Sequence, residues 1–143
     1  MTHTNWIESL VFWAGMAHFP LCLASLYVPV ALNWRTNLAV LQPLLRQMFW
    51  TYAGYILVIN CCFGVVSTAA TTELLNGSFL AKSITLFIAF YWIVRVGIQF
   101  FYFDRTNAPK GPLYVTGEIL LVSCFIAFSI VYLAAFLFNN SWI

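Results

Sequence analysis

The sequence predicts an all-α integral membrane protein of four transmembrane helices packed as an up-down antiparallel bundle, and three observations predict it. Charged residues make up only 7% of the chain, against about 25% in soluble domains. Hydrophobic residues make up 63%. The apolar residues also fall into four windows, at about 7–30, 44–70, 79–103 and 113–138. Each is long enough for a ~30 Å hydrocarbon core, which takes about 20 residues. The connectors are too short for a soluble domain, so 1–143 reads as one four-helix transmembrane domain.

The first window has Glu8 but no Lys or Arg ahead of it, unlike a secretory signal, and reads as a retained span. Pro20 and Pro29 each remove a backbone donor, and a kink at Pro20 would redirect His18. Asn33 to Asn37 is the polar end of this span, and Leu38 to Leu45 is a candidate interfacial elbow. Pro43 suits the first turn of the second span. On that span Gln47, Thr51 and Tyr55 recur at spacing four and share one face. Gly64 and Thr68 permit a close helix approach. Asn76-Gly77 signals a turn before the third span, which carries Tyr91, Arg95 and Gln99 at spacing four. A loop from Asn107 leads to the fourth span, which holds Glu118 near its start. The four cysteines, Cys22, Cys61, Cys62 and Cys124, form no C-x-x-C and read as small packing residues. Asn76-Gly77-Ser78 and Asn139-Asn140-Ser141 match the glycosylation acceptor pattern, which is too common to carry weight.

Orientation follows from the cations. Arg35, Arg46, Arg105 and Lys110 flank the first and third connectors, and only Lys82 lies on the other side. Positive residues stay in the cytoplasm, so both termini are expected on the non-cytoplasmic side. The membrane is expected to be the inner or plasma membrane in a bacterial host. Trp6, Trp34, Trp50 and Trp142 lie near span ends, where aromatic rings settle.

The polar residues predict a network within the cytoplasmic half. A lone guanidinium at a helix centre costs about 2.5 to 3.5 kcal/mol, so Arg95 is expected to pair with Glu118, helped by Gln99 and by Tyr91 or Tyr55. Arg46 is read as an interfacial anchor, with the alternative that it joins Gln47 and Arg95 in one pocket. Guanidiniums there suit an anionic headgroup, a carboxylate or a quinone carbonyl. His18 is expected to bond a backbone carbonyl; the alternative is an axial ligand to a tetrapyrrole, with no second histidine at its depth.

No metal-ligating set, nucleophile elbow, phosphate loop or redox motif is present, so no catalytic residue and no metal site are predicted. A net charge of +2 gives no reason to expect nucleic acid. The reading is a non-catalytic accessory or assembly subunit, or a hydrophobic-ligand-binding module, of a larger membrane complex. Its expected partners are membrane lipids and other membrane proteins or copies of itself, and lipid, quinone or tetrapyrrole are its candidate ligands. One alternative is a small membrane enzyme acting on a lipid or quinone at the cytoplasmic leaflet. Another is an oligomeric channel or carrier, disfavoured by the nearly apolar outer half of every span.

Overall fold

The computed structural model describes residues 3–104, 106 and 111–142, with side chains from residue 6 onward. Arg105, Lys110 and the loop from Asn107 lie outside the described residues, as does the His3 side chain. Six helices follow in order: α1 (His3–Ala31), α2 (Trp34–Asn37), α3 (Pro43–Ala69), α4 (Thr71–Leu74), α5 (Phe79–Phe101) and α6 (Pro112–Asn139). There is no strand among the described residues. Within α1, α3, α5 and α6 lie stretches long and apolar enough to cross a membrane. Their bounds overlap the four apolar windows, and Pro43 and Pro112 open α3 and α6, where the missing N–H is harmless.

Helix α1 runs through Pro20 and Pro29 without ending. It stops where Asn33 takes a left-handed backbone, φ 48°, a conformation asparagine tolerates better than most residues. The Asn37 amide then donates 2.9 Å to the Leu32 carbonyl, satisfying one of the acceptors the helix end leaves open. The helical turn between α1 and α3 therefore falls on Trp34–Asn37 and not on Leu38 to Leu45. Trp34 packs edge-on against Phe49 and Trp50 of α3.

Each long helix buries one stripe at spacings of three and four. The stripe is Ile7, Val11, Ala14, His18 and Leu21 on α1, and Asn60, Phe63 and Ser67 on α3, continued by Thr71 and Leu74 on α4. It is Ala81, Thr85, Ile88 and Trp92 on α5, and Phe125, Phe128, Tyr132, Ala135 and Asn139 on α6. Spacing of this kind keeps one seam facing the partner helices in a slightly supercoiled bundle. Helix α1 packs on α3 and α6, and α5 packs on α6.

Two glycines set the α1–α3 distance. A Cβ at Gly15 would stand 2.8 Å from the Ser67 Cβ and 2.9 Å from Thr68, and one at Gly64 would stand 3.1 Å from the His18 Cβ. The Gly64–Thr68 face thus serves the close approach its composition suggests.

The buried residues stop at a common level. None of the described residues is buried beyond Cys22 on α1, before Asn60 on α3, beyond Trp92 on α5 or before Phe125 on α6. The half of the molecule that holds α4 therefore contains the whole core. The half that holds α2 leaves its helix faces open.

The closed half is tied together at its end by Asn139. Its amide donates 2.7 Å to the Leu74 carbonyl, and its Oδ1 accepts 3.0 Å from the Gly77 amide. Gly77 sits at φ +71°, so the turn needs its freedom from a Cβ. Asn76 caps the same turn: its Oδ1 accepts from the Ser78 amide, and its Nδ2 donates to Glu73. Ser78 caps α5 by accepting from Ala81. Because Asn139 is buried in this fastening, it is no glycosylation acceptor in the folded protein.

Candidate functional site

The open half holds the polar residues that the apolar surroundings make expensive. Arg95 is half-buried on α5. Its guanidinium carbon lies 5.0 Å from the Phe125 ring centroid and 5.2 Å from that of Phe103. Cation–π contacts contribute about 0.5 to 1 kcal/mol each where exposed and about 2 where desolvated. Two of them offset much of the roughly 2.5 to 3.5 kcal/mol cost of an intramembrane arginine. They leave the N–H edge of the guanidinium without any hydrogen bond among the described residues.

Glu118, half-buried on α6, accepts 3.1 Å from the Gln99 side-chain amide. Gln99 and Glu118 are therefore neighbours, as their depths suggest. Arg95, however, makes no ion pair with Glu118: its neighbours are the two rings and the Tyr91 phenol. The aromatic faces of Phe103 and Phe125 take the position given to the carboxylate. Tyr91, one turn before Arg95 on α5, packs edge-on against Phe63 of α3 at a 5.2 Å centroid distance.

The second-span stripe does not join this group. Arg46, Gln47 and Tyr55 are exposed, Tyr55 at 62%. Thr51 spends its hydroxyl on the Gln47 carbonyl at 2.9 Å. The physical reason lies in α3: its first sixteen residues, 43–58, bury none of their side chains, so the stripe faces away from any helix that could complete a pocket. Arg46 is left at the first turn of α3, where an interfacial anchor belongs.

His18 lies in the closed half with none of its surface exposed. Its Nδ1 is 2.7 Å from the Ala14 carbonyl, the expected carbonyl bond. Phe128 stacks on its ring at a 4.1 Å centroid distance, and Trp92, Tyr132 and Phe63 stand edge-on around it. A tetrapyrrole ligated at Nε2 would have to displace these rings and part α1 from α6. Nε2 itself is buried with no hydrogen-bond partner among the described residues, as are Asn60 Oδ1 and Trp92 Nε1.

Several buried polar residues were not singled out by sequence reasoning. Ser67 and Tyr132 share a 2.6 Å hydrogen bond between α3 and α6. Thr85 bonds the Ala81 carbonyl at 2.7 Å and lies 3.5 Å from Asn139. Their signal was present: each continues the three-and-four stripe of its helix once small polar residues are counted with the apolar ones. The Cys61 thiol donates to Cys22 across α1 and α3 at 3.1 Å.

Beyond α5, Asp104 accepts from the Thr106 amide at 2.9 Å and from its hydroxyl. These two bonds hold its carboxyl below the usual carboxylate range. Among the described residues, no group of three or more His, Cys, Asp or Glu could hold a metal ion. No family model, curated protein or solved structure matches the chain.

Proposed function

We propose that this chain is a non-catalytic module of a membrane complex that seats a hydrophobic ligand in its open half. The helices alternate in direction, both termini lie on the non-cytoplasmic side, and the open half lies in the cytoplasmic leaflet. The cation asymmetry supports that orientation, with Arg35 and Arg46 at the α2 end and Lys82 at the other. Contacts between α5 and α6 support the alternation: Gln99 meets Glu118, Trp92 meets Phe125 and Thr85 meets Asn139, one number rising as the other falls.

The observation that carries the reading is the common level at which burial stops on all four helices. A bundle that needed only to be stable would close along its length, because parting helices forfeit van der Waals packing. Here the packing is complete in one half. The other half offers apolar faces, with the Arg95 guanidinium and the Gln99–Glu118 pair among them.

The test is purification of the intact chain in a mild detergent, followed by lipid extraction and mass spectrometry. A hydrophobic ligand retained in fixed proportion to protein is the expected result. A chain that emerges with no retained molecule, at the same stability as before delipidation, would refute the reading.

A further inference from the structure

Resting on that reading, we infer that the open half binds one anionic phospholipid, with the Arg95 guanidinium on its phosphate and the acyl chains along the exposed faces of α5 and α6. Three features of Arg95 lead there. First, its depth is right for a headgroup. Arg95 lies six residues before the end of α5, roughly 9 Å along the axis. Its side chain reaches the Phe103 ring, two residues past that end. The charge therefore stands beyond the core edge at Phe125, toward the end of α5, where a long side chain can reach a headgroup.

Second, the donors are free and the faces are not. Phe103 and Phe125 cover the guanidinium, and its N–H edge has no hydrogen-bond acceptor among the described residues. Arginine carries five donors and no acceptor. A phosphodiester answers that edge with two anionic oxygens in the bidentate geometry guanidinium favours. The Glu118 carboxylate accepts from the Gln99 amide.

Third, the surroundings suit acyl chains. Val94 and Ile98 flank Arg95 on α5 at 41% and 37% exposure, and Leu120 on α6 is 63% exposed. A diacyl lipid can lay its chains along these faces while its headgroup brings the phosphate to Arg95.

The experiment uses the full chain, delipidated in detergent and incubated with equal amounts of dioleoyl phosphatidylglycerol and dioleoyl phosphatidylcholine, with retained lipid read by native mass spectrometry. Wild type should retain one phosphatidylglycerol in preference to phosphatidylcholine. Arg95→Leu should weaken that retention by about tenfold or more, the factor that loss of a charge-assisted contact implies. Arg95→Lys should fall between the two, since it keeps the charge and loses the fork. Arg46→Leu, at the exposed start of α3, should behave as wild type. Should Arg95→Leu elute as an aggregate, Arg95→Gln replaces it.

Equal retention by wild type and Arg95→Leu overturns the inference. So does an equal loss in Arg46→Leu, which would reduce the effect to surface charge. If added oleate displaces phosphatidylglycerol at equal concentration, the ligand is a carboxylate and the phospholipid assignment is wrong. Retention of both lipids alike, unchanged by Arg95, removes the headgroup contact and leaves the hydrophobic-ligand module standing. Retention of neither removes both.

Discussion

Ser67 and Tyr132 share a hydrogen bond between α3 and α6 in the closed half. Interhelical bonds of this kind are worth about 0.6 kcal/mol on average and up to about 1.7. Tyr132→Phe should therefore lower stability by about 1 kcal/mol in a detergent unfolding series, while Tyr52→Phe, at an exposed position, should change nothing. Equal effects would mean that the Ser67 contact carries no weight. His18 presents the opposite case, since one ring nitrogen is bonded and the other is buried without a partner among the described residues. An unpaired buried polar atom costs roughly 1 to 3 kcal/mol, comparable to what the Ala14 bond returns. His18→Leu, similar in volume, is expected to leave stability unchanged or raise it, and a loss above about 2 kcal/mol would show that Nε2 has a partner in the membrane. At Asp104 the sign is that of a depressed carboxyl. The turn it makes with Thr106 is complete above the ordinary aspartate range near pH 3.9 and is lost as pH falls through the lowered value. The Thr106 amide resonance, followed from pH 7 downward, should hold its position through pH 3.9 and shift below it. Arg95 and His18 were conspicuous in the sequence because ionisable groups are rare in spans. Their partners were not, because Phe103 and Phe125 look like any other aromatics of the 19% in the chain.

Pairs of elements show where the apolar code suffices and where it does not. Four helices were legible from hydropathy alone, since nothing but a helix satisfies its own backbone in lipid over such lengths. Which faces meet was harder to read: core and lipid-facing residues are both apolar, so amphipathicity, the usual signal, is weak. Small and polar residues carry the information instead. Gly15→Ala should destabilise the α1–α3 pair by about 1 to 3 kcal/mol through overpacking on Ser67 and Thr68. Gly54→Ala, with nothing within 4 Å of the added carbon, should not destabilise at all. A thermal melt of the two variants decides it, and matching losses would show that the interface is not at Gly15. The same pair can be tested covalently. Oxidation by copper–phenanthroline takes two electrons and two protons from adjacent thiols and should join Cys22 to Cys61, leaving Cys62 and Cys124 open to alkylation. A Cys22–Cys62 peptide would mean that α3 is rotated from the position described.

For the molecule as a whole, the division into a closed and an open half was not readable in the sequence. The Tyr91, Arg95 and Gln99 stripe lies on α5 between the buried core and the end of that helix. The similar stripe on α3 does not join it, since Gln47 and Tyr55 are exposed. Sidedness is open to direct measurement: a membrane-impermeant maleimide applied to intact cells should label a cysteine introduced at Ser141 and spare one introduced at Thr36. The reverse pattern would place the open half in the other leaflet. The position of Asn139 bears on how the chain comes to be built. The residue that fastens the Leu74 and Gly77 backbone is synthesised more than sixty residues after them, and α1 meets α6 only after α6 has been made. Until α6 leaves the insertion machinery, α1, α3 and α5 wait in the bilayer with the seam that α6 fills left open. A ribosome stalled inside α6 would therefore release a product that is correctly threaded yet unlatched, the form that membrane proteases are equipped to remove.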